Sequence, residues 1–238
     1  MTWVPTSEAV KQPDSAGRLK RTLAENGLSL TLFALFLAFT GGQILSGHRA
    51  YNEELAEHGH AAVGLARYLT SGHFLEALFE NWESEFLQMA AFVVLTVKLV
   101  QKGSSESKSL REPQPQDEDP RRHGTRSDAP WPVRRGGVWL KLYEHSLSIA
   151  LFALFLASFA MHAVGGHWQE NEEHLLHGQA PESLAQYITS SQFWFESFQN
   201  WQSEFFAVLA IVILSIFLRQ RGSPQSKPVA APHRETGG

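Results

Sequence analysis

The chain has 238 residues, a formal net charge of −4 and no cysteine. A length of this order holds one modest domain or two small ones. The lack of cysteine excludes disulfides, thiolate metal sites and cysteine nucleophiles. The near-balanced charge excludes a global basic surface for nucleic acid.

Residues 1–22 form a polar tail with four basic residues, Lys11, Arg18, Lys20 and Arg21. The block 28–45 that follows carries no charged residue. It is near the length a helix needs to cross roughly 30 Å of hydrocarbon. A basic stretch before an apolar one also describes a cleaved signal peptide, but a matching block in mid-chain argues against that reading.

Next comes His48-x3-Asn52-Glu53-Glu54-x3-His58-Gly59. No proline or glycine interrupts the run before its closing glycine, so a helix is expected to leave the membrane here and end at a glycine cap. On it Glu54 and His58 share a face. A second segment, Phe79-x2-Trp82-x-Ser84-Glu85-Phe86, opens another apolar block. Phe79, Trp82 and Phe86 form an aromatic stripe of the kind favoured at a membrane interface. Glu85 stands where the apolar residues begin. The two spans are placed at about 27–46 and 83–101. Residues 109–141, rich in Pro, Ser, Asp, Glu and Arg, read as a disordered linker.

The second half repeats the first. At an offset of 119 residues, 23–108 aligns with 142–227 without a gap, and 40 of the 86 pairs are identical. LFALFLA stands at 32–38 and at 151–157. The outer motif returns as His167, Asn171, Glu172, Glu173, His177 and Gly178, and NWESEF at 81–86 returns as NWQSEF at 200–205. The second pair of spans is placed at about 146–165 and 202–219, followed by a tail at 228–238. His162 is the sole ionisable residue of the block 147–164, and the first copy has no histidine to match it. Small residues four apart, Ala34/Ala38 and Ala153/Ala157, offer a face for close helix packing.

Charge predicts orientation. The two segments 46–85 and 165–204 hold two of the 20 basic residues and 13 of the 24 acidic ones. One side is therefore net +7 and the other net −11, which under the positive-inside rule puts both termini in the cytoplasm. The expected fold class is an all-α membrane protein with four transmembrane helices from two parallel two-helix repeats, with short extracytoplasmic helices in the outer loops. Inverted repeats are excluded by this count.

The strings YNEE…HG, SGHFLEALFENWESEFLQM, APWPVRRGG and FESFQNWQSEF resemble an uncharacterised bacterial multi-pass membrane protein family, the domain of unknown function 6766. The resemblance runs from about residue 23 onward. It implies a bacterial cytoplasmic membrane and carries no assigned activity.

Imidazole beside carboxylate suits a divalent transition metal. The candidate ligands are His48, Glu54, His58, His167, Glu173 and His177. Glu85 and Glu204 are candidates for a proton or cation, because ionisable groups at membrane depth are costly and tend to face an interior. No nucleophile elbow, Walker loop, dinucleotide fingerprint or zincin motif is present, so an enzyme is the less favoured reading. The first expectation is a non-enzymatic envelope or partner-binding module, its partners the bilayer and a protein or a second copy, with no nucleic acid. The alternative is divalent-cation or proton binding or transport through the acidic, histidine-rich outer face.

Overall fold

The computed structural model describes residues 15–109 and 114–237, with side chains from residue 20. Most of the N-terminal tail, including Lys11, and linker residues 110–113 lie outside the described residues. All regular structure among the described residues is helical. The chain divides into two compact units at Leu65/Ala66.

The first unit is built on α1 (Ser15–Glu57), 43 residues long with a non-helical break at Asn26. Asn26 donates its side-chain amide to Thr22 O at 3.0 Å, a local bond that competes with the helical ladder and suits a kink. Beyond it the apolar side chains Leu28, Leu32, Phe33, Phe36 and Phe39 are exposed. The helix continues through the outer motif and stops as expected. Gly59 has a φ of +76°, and His60 N donates back to Leu55 O at 2.8 Å. That six-residue closure is a glycine-led C-terminal cap.

One turn, α2 (Leu65–Tyr68), spans the division, and the second unit continues with α3 (Gly72–Thr96). Ser71 caps α3 by accepting from Phe74 N at 3.3 Å. This helix begins before the expected span at 83 and ends five residues short of 101. After residue 114 the linker consists of 3-10 turns at Pro115–Asp117 and Pro120–His123, then α4 (Trp131–Arg135) and α5 (Gly137–Glu144). Long α6 (Ser146–Leu176) follows, ending at Gly178 with a φ of +69°. The unit closes with α7 (Leu184–Thr189), started by a Ser183/Gln186 capping box, and α8 (Ser191–Phe217).

Among the described residues three helices are long and apolar enough to cross a membrane: α1 from Lys20, α6 and α8. The 25 residues of α3 have the length, but four glutamates interrupt its apolar character.

Within the second unit, α6 lies along α3. Among the residues it buries are Ser158, His162, Gly165 and Gln169, spaced three or four apart along one face. Ala153 and Ala157, the expected small-residue face, are exposed. Glycine decides the contact instead. A Cβ on Gly165 would meet Glu76 N at 2.7 Å, and one on Gly166 would run into the Tyr187 hydroxyl. Only a residue without a side chain allows this approach of α3 to α6. An aromatic core of Phe193, Tyr187 and Phe159 packs beside it.

The C-terminal segment is tied to the segment after α3. Ser104 and Ser215 hydroxyls meet at 2.8 Å, and Gly103 N donates to Thr236 Oγ1 at 2.9 Å. The buried Lys227 ammonium donates to the carbonyls of Pro232, His233 and Glu235 at 3.3, 3.1 and 2.8 Å.

Candidate functional site: a buried imidazole–carboxylate cluster

The His–Asn motif fastens a loop in each copy. His48 Nε2 donates to Val63 O at 2.8 Å, Asn52 Nδ2 donates to the same carbonyl at 3.1 Å, and Val63 N donates to Asn52 Oδ1 at 2.6 Å. His167, Asn171 and Glu182 make the same three bonds at 2.8, 3.1 and 2.7 Å. His58 and His177, both exposed, donate Nδ1–H to the carbonyls of Glu54 and Glu173 at 3.0 and 2.8 Å. There they satisfy acceptors that a helix C-terminus leaves open. Glu173 also lines the cavity described below. Glu85 is exposed and Glu204 half-buried.

A different set converges inside the second unit. His162 and Glu83 are fully buried, at 0 % exposure each. His162 Nδ1 donates to Glu83 Oε2 at 2.9 Å, and the Trp201 indole N–H donates to Glu83 Oε1 at 3.0 Å. Both carboxylate oxygens are thus occupied by donors from α6 and α8. An ionised carboxylate only accepts, so Nδ1 carries a proton and Nε2 is the ring nitrogen left over. That nitrogen is buried and has no hydrogen-bond partner. Its neighbour is Glu196 Oε2, 3.7 Å away.

Glu76 on α3 completes the set. One ligand atom each from Glu76, His162 and Glu196 falls within 4.8 Å of the others. Tyr187 donates its hydroxyl toward Glu196 Oε2 at 3.2 Å and Glu76 Oε1 at 3.4 Å, and Gln192 donates to Glu196 Oε1 at 2.5 Å. Asn200 donates to Glu80 Oε1. An open cavity of about 530 Å³ shares Glu76 and Glu196 with this cluster. Its wall also carries Glu80, Glu170 and Glu173, with His73, Gln169 and Gln192, and no lysine or arginine.

Such an arrangement concentrates negative charge with little to balance it. Glu76 lies ahead of the apolar part of α3. Burial first, then the Glu196 carboxylate, push its carboxyl up to about 8. Burial and the same two carboxylates hold the Tyr187 hydroxyl well above the ordinary phenol range.

Its residues are those at which the two copies differ. At the offset of 119, His162 aligns with Gln43, Glu83 with Gln202, Glu76 with Phe195, Glu196 with Ala77 and Glu80 with Gln199. Reading the shared residues as the functional ones therefore passes over the cluster. The signal that points to it is His162 itself, an ionisable side chain alone in an apolar helix.

No curated protein and no solved structure matches the chain. A family model does match, over residues 19–238. The chain belongs to the family described as a domain of unknown function, DUF6766.

Proposed function

We propose that this is an integral membrane protein of four crossings, with both termini in the cytoplasm of a bacterium, that binds protons or cations at the outer end of the α3, α6 and α8 bundle. The observation that carries the reading is the buried Glu83–His162 pair beside Glu76 and Glu196, which line a cavity walled by five carboxylates and no lysine or arginine. Uncompensated buried charge is costly unless it is paired, protonated or coordinated. The cluster therefore favours the cation alternative over the partner-binding module that composition puts first. Binding is non-enzymatic in this reading. The acidic wall draws cations from the outer solution, and Glu76, His162 and Glu196 hold them.

Three crossings rest on α1, α6 and α8, the helices of sufficient length and apolarity. The fourth is the apolar part of α3 from about residue 83, where Glu83 is buried in the protein interior, as intramembrane ionisable groups tend to be. Duplication is supported by the recurrence of the His–Asn clamp at Val63 and Glu182.

Two measurements test the proposal. The chain lacks cysteine, so single cysteines at Ala61, Ala180 and Ser127 report topology directly. In intact cells an impermeant maleimide should label the first two and spare the third. Thermal unfolding in detergent should then respond to pH or to added monovalent or divalent cations. That response should shrink in the triple variant Glu80→Gln/Glu170→Gln/Glu173→Gln. Labelling of position 127 from outside, or a melting temperature indifferent to all cations and to pH, would sink the reading.

A further inference from the structure

We propose that Glu76, His162 and Glu196 form the first coordination sphere of a divalent transition metal of the zinc or manganese class, with Glu83 orienting the imidazole. The inference rests on the cation-binding reading and names the ion.

The leading observation is the direction of His162. Its Nε2 is fully buried and has no hydrogen-bond partner, while it faces two carboxylates. Leaving a buried polar nitrogen unmet is costly, and a metal ion is the partner that imidazole and carboxylate share. Zinc holds such ligands at about 2.0–2.2 Å, which puts ligand atoms of a tetrahedral set about 3.4 Å apart. His162 Nε2 and Glu196 Oε2 already stand at 3.7 Å. Glu76 lies within the same 4.8 Å group, so closure needs only small side-chain movements.

The second observation is independent of that distance. Metal-bound histidines donate their other ring N–H to a carboxylate, which fixes the tautomer and raises the basicity of the ligand nitrogen. Glu83 does this for His162, and Trp201 holds Glu83 in turn. The proposed ligand carboxylates are also secured, by Tyr187 and Gln192.

Charge is the third. Glu76, Glu83 and Glu196 crowd one imidazole, and the cavity wall offers no lysine or arginine. A dication would balance most of this charge. Three protein ligands leave room for water or another group on the side open to the cavity, unlike the closed four-ligand shell of a structural zinc.

The test uses the full chain, purified in detergent and stripped with a chelator. Zinc or manganese titrated in by calorimetry should bind at one ion per chain. The manganese-loaded protein should show nitrogen modulation from one imidazole in pulsed electron paramagnetic resonance. His162→Ala and Glu76→Gln/Glu196→Gln should each weaken binding at least about a hundredfold. Glu83→Gln should weaken it roughly 10–100-fold while keeping the imidazole signal. The wild-type measurements decide the matter even where a variant fails to fold. Absence of stoichiometric binding or of the imidazole signal would overturn the assignment. So would loss of the ion in His58→Ala/His177→Ala with the cluster variants unaffected. If zinc and manganese fail while other cations or protons still stabilise through the cavity carboxylates, the metal centre falls and the broader reading stands. If nothing stabilises, both fall.

Discussion

Glu83 and His162, 79 residues apart in sequence and on different helices, meet at 2.9 Å with neither exposed to solvent. Breaking such a pair from one side strands the remaining group in a low-dielectric site. His162→Ala or Glu83→Ala should each cost about 3–5 kcal/mol of stability. Replacing both partners with neutral ones should cost less than the two single changes added together. The apt double variant is Glu83→Gln/His162→Gln, because glutamine stands at the aligned positions 202 and 43 of the other copy. A double-mutant cycle on thermal unfolding in detergent checks this. Strict additivity would mean the pair contributes no coupling.

The His–Asn clamp should govern its loop more than the helices. Asn171→Ala removes the acceptor for Glu182 N and one donor to Glu182 O. A net loss of about 1–3 kcal/mol is expected. Amide exchange at Glu182 should accelerate, as should exchange at Val63 in Asn52→Ala. Unchanged protection at both positions would rule the clamp out as the fastening.

Close approach makes Gly165 intolerant of even a methyl group. Its Cβ would lie 2.7 Å from Glu76 N and 2.9 Å from Leu75 Cβ, so Gly165→Ala should cost about 1–3 kcal/mol through overpacking. Gly41 has nothing within 4 Å of its own Cβ position, and Gly41→Ala should be tolerated. Melting temperatures of the two variants, compared side by side, test the difference.

Lys227 ties down the end of the chain through three carbonyls. In Lys227→Ala those acceptors lose their shared donor. Limited proteolysis should then cut residues 228–237 faster than in the wild type. Equal cleavage rates, read by mass spectrometry, would show that the Ser104–Ser215 and Gly103–Thr236 bonds suffice.

Most of the helices are legible in the sequence because the forces that make them are local. Uninterrupted apolar runs call for helices because every backbone group is then satisfied within the segment. Gly59 and Gly178 announce helix ends, because such caps are made within a few residues. The outer His–Asn pattern is visible as a motif, but its loop partners Val63 and Glu182 lie 11 residues beyond the asparagine and no periodicity points to them. The extent of α3 escapes a hydropathy reading because its carboxylates break the apolar run that marks a span, although they are compatible with a buried helix face.

What tertiary structure alone decided is the cluster. Glu76, Glu83, His162 and Glu196 come from three helices. Glu76 and Glu83, seven apart, share a face of α3, but no spacing rule ties them to His162 or Glu196, and duplication points elsewhere because each differs from its counterpart. An imidazole becomes a candidate ligand only when one nitrogen is tied and the other is left bare and buried. Those are properties of the packed α3, α6 and α8, brought close by Gly165 and Gly166, and not of any one segment of the chain.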